Sequence, residues 1–318
     1  MDTALVAALA VGFYIAWNIG ANDSANAMGT AVGAGILNFR QATLTIGIFV
    51  ILGAYLRGYK VMKTVGEGII SSMSMELAIL ILFSAGIWVT IATIKGLPVS
   101  TTQAIVGGVI GAGLATGATI NWSVMEKVVG AWVLSPVIAG IFAALLYKFY
   151  SRIIASIKSL RRLELLYKWM AILGGSYMAF NFGANEVANA TGPLVGADLL
   201  TPRWAGLFGA ISLTLGSLTF SYAVMHTVGK KITSLGPVSA FSAQFSSAIA
   251  VSLANYFGLP VSSSQAIVGG VVGVGLAAGE RVDKRIVADV LFGWVATPTT
   301  GMVIAFTLSK LFMAVGLL

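Results

Sequence analysis

The sequence predicts an all-α polytopic membrane protein built from two inverted repeats with broken helices, and three observations carry that expectation. Apolar residues fill 58% of the 318 positions and charged residues only 9%. The apolar runs repeatedly reach the roughly 20 residues needed to cross ~30 Å of hydrocarbon. The Asn-rich, Thr-Val-Gly, proline-element and Trp-to-Pro motifs each return 162 or 163 residues further on. A soluble domain carries about 25% charged residues, so a large buried soluble core is excluded. Runs such as Ala78 to Ile94 and Val137 to Leu146 are apolar all round, without the period-two alternation of a transmembrane β-barrel.

Taken in order, residues 4 to 37 are apolar except at Asn18-Ile19-Gly20-Ala21-Asn22-Asp23-Ser24-Ala25-Asn26, where a break in the helix is expected. No basic region precedes the run from Ala4, so this first segment is expected to stay in the membrane and not to be cleaved as a signal peptide. Segments 42 to 56 and 77 to 94 read as spanning helices. Between them Arg57, Lys60, Lys63, Glu67 and Glu76 mark a stretch expected at an interface. Next comes Gly96-Leu97-Pro98-Val99-Ser100-Thr101-Thr102-Gln103-Ala104-Ile105-Val106-Gly107-Gly108-Val109. Pro98 cannot continue a helix from its N-terminal side, but Ser100 or Thr101 is a good N-cap for a new one. Trp122 to Tyr147 follows, with a kink expected at Ser135-Pro136.

Residues 151 to 168 hold five Lys or Arg against one Glu, with apolar residues at helical spacing. A basic amphipathic linker of this kind belongs on the cytoplasmic face, along the headgroups. It divides a first repeat, residues 1–150, from a second, residues 169–318.

After the linker the chain starts again. Asn181-Phe182-Gly183-Ala184-Asn185-Glu186-Val187-Ala188-Asn189 repeats the first motif, and Thr227-Val228-Gly229 repeats Thr64-Val65-Gly66. The proline element returns as Gly258-Leu259-Pro260-Val261-Ser262-Ser263-Ser264-Gln265 through Val271, identical at twelve of fourteen positions, and Trp132 to Pro136 returns as Trp294 to Pro298. Basic residues fill Glu280 to Arg285 but are missing from the matching Ala118 to Ser123. Opposite loop charge places the halves in opposite orientation, so that their polar motifs meet near the midplane.

The two Asn-rich motifs offer two carboxylates and six carboxamides on segments without a neighbouring Lys or Arg. An acid at membrane depth costs ~3 kcal/mol, and oxygen donors suit hard cations. Two acids at equivalent positions argue against incidental helix-to-helix bonding. Each proline element offers four polar side chains and the free N–H groups of a helix start, a donor set for an oxyanion. Gly107, Gly108, Gly111, Gly113 and Gly117, with Gly269, Gly270, Gly273, Gly275 and Gly279, have small-xxx-small spacings for close helix packing. The chain has no Cys and a single His, His226, which removes thiolate and histidine metal clusters. Its net charge of +8 is spread over short loops and one linker, so nucleic acid is not a partner.

The paired Gly-Ala-Asn-acid-x-Ala-Asn-Ala motifs and the two Leu-Pro-Val-Ser-x-x-Gln segments resemble the inorganic phosphate transporter family, PiT, over nearly the whole chain. The resemblance implies an inverted-repeat symporter with re-entrant helical hairpins. It implies import of inorganic phosphate with sodium or protons, commonly by a homodimer, and no enzymatic activity or cofactor beyond sodium as co-substrate. It assigns Asn22, Asp23, Asn26, Asn185, Glu186 and Asn189 to the sodium ions. It assigns Ser100, Thr101, Thr102, Gln103, Ser262, Ser263, Ser264 and Gln265, at the hairpin tips, to phosphate. The chain departs from the animal branch at Val50 and Gln244, where Glu is usual, and at Gln103 and Gln265, where His is usual. The coupling stoichiometry and pH dependence of that branch therefore do not transfer.

Phosphate carries one or two negative charges, and an inside-negative potential opposes its entry by ~2.3 kcal/mol per charge per 100 mV. Two or more co-transported cations reverse the balance. Sodium is expected over protons, because a carboxylate alone carries a proton whereas the Asn carbonyls serve only a coordinated ion. Proton-coupled phosphate, metal-phosphate and sulfate transport are the alternatives within this architecture, and an anion channel is the rival outside it. The expected location is the cell's inner membrane, with lipid as its surroundings.

Overall fold

The computed structural model describes residues 3–33, 35–94, 99–222, 225, 236–279 and 284–318. The described elements are helical: α1 Thr3–Gly33, α2 Phe39–Arg57, α3 Tyr59–Lys63, α4 Met75–Ile94, α5 Thr101–Thr116, α6 Trp122–Ala155, α7 Leu160–Phe182, α8 Ala188–Gly196, α9 Pro202–Phe220, α10 Pro237–Tyr256, α11 Ser263–Ala278 and α12 Lys284–Ala314. Among them six have the length and hydropathy to cross a membrane: α1, α2, α4, α6, α10 and α12. The two shorter apolar helices, α5 and α11, begin at the proline elements. Helices α4 and α5 pack together, as do α10 and α11, giving the two hairpins.

Local chemistry sets the helix ends. Ser100 and Ser262 are the N-caps of α5 and α11, each accepting the backbone N–H three residues on, from Gln103 and Gln265, at 3.2 Å. Both helices stop at a glycine in the left-handed region, Gly117 at φ 75° and Gly279 at φ 78°, where a side chain would be strained. Asn38 and Gln41 form a reciprocal capping box on α2.

One expectation changes. The first Asn-rich motif does not break its helix: α1 runs through it. It holds no proline, and Asn18 and Ser24 bond the carbonyls of Tyr14 and Gly20 one turn back, so the polar side chains are accommodated within helical geometry. Only the second copy departs, as a π-helical turn over Gly183–Val187 between α7 and α8. The polar stretch after Arg57, expected at an interface, starts in helical geometry, with Gly58 keeping helical φ and ψ. It passes through α3 into a second π-helical turn, Thr64–Gly68. The basic stretch 151–168 is the end of α6 and the start of α7, joined around Ser156 to Ser159, and Pro136 lies inside the continuous α6. Gly96 to Pro98, His226 to Gly229 and Glu280 to Asp283 lie outside the described residues.

The halves pack by exchange. A Cβ added at Gly107 would lie 2.1 Å from the Pro298 carbonyl oxygen, and at Gly111 2.1 Å from that of Met302. The equivalent Gly269 and Gly273 stand 2.1 Å from the carbonyl oxygens of Pro136 and Gly140. Thus α5 of the first half lies on α12 of the second, and α11 lies on α6. The scaffold repeats the pattern: Gly20 meets Leu213 as Gly183 meets Val50, and Gly216 meets Trp17 as Gly53 meets Phe180. Each contact maps onto its partner by the shift read in the sequence, an arrangement consistent with two inverted repeats.

These contacts are backbone against backbone, so an added side chain has no flexible neighbour to displace. Gly269→Val should lower the thermal unfolding midpoint of detergent-solubilised protein by several degrees, an overpacking cost of ~1–3 kcal/mol or more. Gly130→Ala, with nothing within 4 Å, should leave it equal or slightly higher.

Candidate functional site

The Asn-rich motifs and the hairpin tips meet in one buried cluster. Asp23 on α1 and Glu186 on the π-helical turn retain 4% and 1% exposure, and both reach the first residue of α5. The Thr101 hydroxyl lies 3.3 Å from Asp23 Oδ2 and 3.2 Å from Glu186 Oε2. Glu186 also accepts from Thr102 at 3.3 Å, from Ser263 at 2.8 Å and from the Asn185 amide at 3.1 Å. The carboxylates of the two halves are thus joined by a hydroxyl from one hairpin, and one of them takes a second hydroxyl from the other. Among the described residues their hydrogen bonds come from hydroxyls and amides, and no ion pair neutralises either acid.

Four carboxamides surround the acids. Asn185 grips the second hairpin through its backbone, donating to the Val261 carbonyl at 2.6 Å and accepting from the Val261 N–H at 3.2 Å. Asn189 donates to Thr102 at 2.7 Å, and its equivalent Asn26 donates to Ser264, the equivalent of Thr102, at 3.1 Å. Each half therefore ties its Asn to a hairpin hydroxyl of the other half. Asn22 lies one residue before Asp23 and is half-buried.

Ser100 and Ser262 turn their side chains back onto their own helix starts. With Val99, Ser264, Gln265, Val268, Gly293 and Trp294 they line a cavity of about 40 Å³ between the two tips. A space of this size is on the scale of water molecules, so the tips must part for a larger anion to pass. Gln103 and Gln265 are each 1% exposed, and Gln103 Oε1 with both polar atoms of the Gln265 amide have no protein partner. An orphaned buried amide costs stability, and that of Gln265, on the cavity wall, offers a free donor and acceptor to a polar ligand.

All fourteen residues singled out in the sequence fall on α1, the π-helical turn Gly183–Val187, α8 and the starts of α5 and α11. Sequence reasoning missed the Val261 backbone, gripped by Asn185 and by the Thr102 hydroxyl at 3.0 Å. It also missed Trp132, which donates to the Pro260 carbonyl at 2.9 Å, and Trp294 on the cavity wall. The repeat of Trp132 at Trp294 was the available signal, read only as part of a proline kink. Gln244 was noted only as a departure, yet it bonds the Asn26 and Ala27 carbonyls and so ties α10 to the α1 motif.

In chemical terms the cluster sets two carboxylates, carboxamide oxygens and hydroxyls beside two helix N-termini, an oxygen-rich environment for hard cations next to donors for an oxyanion. The geometry has counterparts. A protein of Pyrococcus furiosus named as a phosphate permease is 33% identical, covering 99% of this chain and 98% of its own. The inorganic phosphate transporter 2-1 of Arabidopsis chloroplasts is 30% identical over 96% of this chain and 72% of its own. A solved structure titled the sodium-dependent phosphate transporter superposes with a TM-score of 0.90 at 30% identity, covering 99% of this chain and all of that one. The family model described as the phosphate transporter family matches residues 19–305, and with the helical membrane architecture and duplicated site in place the chain belongs to that family.

Proposed function

We propose that this protein imports inorganic phosphate by symport with sodium ions, alternating access around the site where the two hairpin tips meet. The observation that carries the reading is the hydroxyl shared between Asp23 and Glu186. Two buried acids without a basic partner attract cations, and the same hydroxyls stand at helix starts suited to an anion.

A hydroxyl has one proton to give. In this structure the hydroxyls of Thr101 and Ser263 stand within hydrogen-bond distance of carboxylate oxygens, and Thr102 shares its one proton between Glu186 and the Val261 carbonyl. Sodium bound by Asp23 and Glu186, with carbonyl oxygens of the surrounding Asn residues, would occupy those carboxylate lone pairs and release the hydroxyl protons. Phosphate would then collect them, along with the N-termini of α5 and α11 and the unpartnered Nε2 of Gln265. The cation thus prepares the anion site, by removing negative charge and by freeing donors. The likeness to a solved transporter titled sodium-dependent supports sodium over the alternatives.

The remaining expectations fit this reading: residues 1–150 and 169–318 as the repeats, the 151–168 stretch on the cytoplasmic side, and a homodimer in the cell's inner membrane without enzymatic activity.

Two experiments test it. In proteoliposomes, radiolabelled phosphate should accumulate under an inward sodium gradient and gain from an inside-negative potential. Equal uptake with sodium replaced by potassium under an inward proton gradient would assign the coupling to protons. Thr101→Val keeps the side chain's shape and removes the bridging hydroxyl. It should raise the sodium concentration for half-maximal uptake about tenfold, consistent with loss of one hydrogen bond to a charged group. An unchanged sodium dependence would separate Thr101 from the cation site.

A further inference from the structure

The hairpins are related by the repeat, and the second tip has a contact whose residues the repeat does not carry over. The second tip rests on α3, where Lys60 Nζ donates to the carbonyl oxygen of Tyr256, the last residue of α10, at 2.9 Å. The same ammonium stands 4.7 Å from the centroid of the Tyr256 ring, within cation-π range. Gly258, at φ 71°, brings the tip backbone so close that a Cβ there would lie 3.1 Å from both Cβ and the carbonyl oxygen of Lys60. A cation at the carbonyl end of a helix also opposes the negative pole of its dipole.

The repeat provides an internal control. By the 163-residue shift of the flanking Thr64-Val65-Gly66 motif, the equivalent of Lys60 is Ala223, and by the 162-residue shift of the proline element the equivalent of Tyr256 is Ile94. Neither can supply a charge or an aromatic face. The other tip contacts do have equivalents in sequence, since Trp132 recurs as Trp294 and Asn185 as Asn22. The Lys60–Tyr256 contact is therefore an addition to one tip of a duplicated design.

We propose that Lys60 is a positioning residue for transport, a latch that holds the second hairpin tip down on α3 and makes the two tips unequal in their cost of opening. Opening the second tip breaks a charge-assisted hydrogen bond and a ring contact that the aligned residues of the first half, Ala223 and Ile94, cannot supply. Lys60 is exposed, so water competes for its ammonium and the bias is modest, about three- to tenfold in the opening equilibrium. The idea rests on the reading that the tips part to admit substrate, but not on the identity of that substrate.

The chain has no Cys, so single cysteines report without background. Val261, fully buried beside the second tip, and its equivalent Val99 would each be replaced by Cys, and maleimide labelling followed in detergent without sodium or phosphate. Adding Lys60→Met should speed labelling of Val261→Cys about three- to tenfold and leave Val99→Cys unchanged, while Lys60→Arg should restore the slow rate. Faster labelling at both positions would mean general loosening and overturn the latch, as would no change at either. Sodium with inorganic phosphate, added to the unlatched protein, should slow labelling at both tips. If that protection fails while the Lys60 effect remains, the latch stands and the substrate assignment falls.

Discussion

The structure depends on burying two carboxylates, Asp23 and Glu186, against one another with no basic partner among the described residues. Moving an ionised acid out of water is costly unless its oxygens are satisfied. Here the satisfying groups come from far along the chain: Thr101 and Thr102 from one hairpin, Ser263 from the other, Asn185 from beside Glu186. Hydroxyls and amides meet the hydrogen-bonding need without cancelling charge, which preserves the attraction for a cation. A lysine in the same place would pair with the acids permanently and cancel that attraction.

That requirement explains the crossing of the halves. For both acids to reach both hairpin starts, helices of one repeat must run directly against those of the other. The glycines make this possible by letting backbones touch, with Gly107 on Pro298 and Gly269 on Pro136 as the equivalent contacts. Since α5 lies on α12 and α11 on α6, a shift of either long helix reaches the hairpin of the opposite half. The Trp132 bond to Pro260 is one such route, from a long helix to a tip.

Much of this was legible in the sequence, because duplication displays a site twice. Ser100 and Ser262 were readable as caps, since a proline followed by small polar residues has few other uses inside apolar flanks. The acids were readable because charge at membrane depth needs a reason. The local backbone at the Asn-rich motifs was not. Both copies are rich in Gly, Ala and Asn and pack through equivalent glycine contacts, Gly20 on Leu213 and Gly183 on Val50, yet only the second takes a π-helical turn. The Val261 backbone was equally hidden, because a carbonyl has no signature in a list of side chains. Lys60 looked like an interface residue since its partner, the Tyr256 carbonyl, lies 196 positions away.

The central claim is that one ligand is held by both halves at once, and phosphate affinity in a double-mutant cycle tests it most directly. Thr102 and Ser264 are equivalent hydroxyls, each hydrogen-bonded to an Asn of the other half. Equilibrium binding of phosphate to folded Thr102→Ala and Ser264→Ala protein in saturating sodium should be weaker by about ten- to hundred-fold in each case. The double variant should depart from additivity, because both hydroxyls act on one bound ion. Wild-type affinity in either single variant would remove that half from the site, and wild-type affinity in both would contradict a shared site altogether.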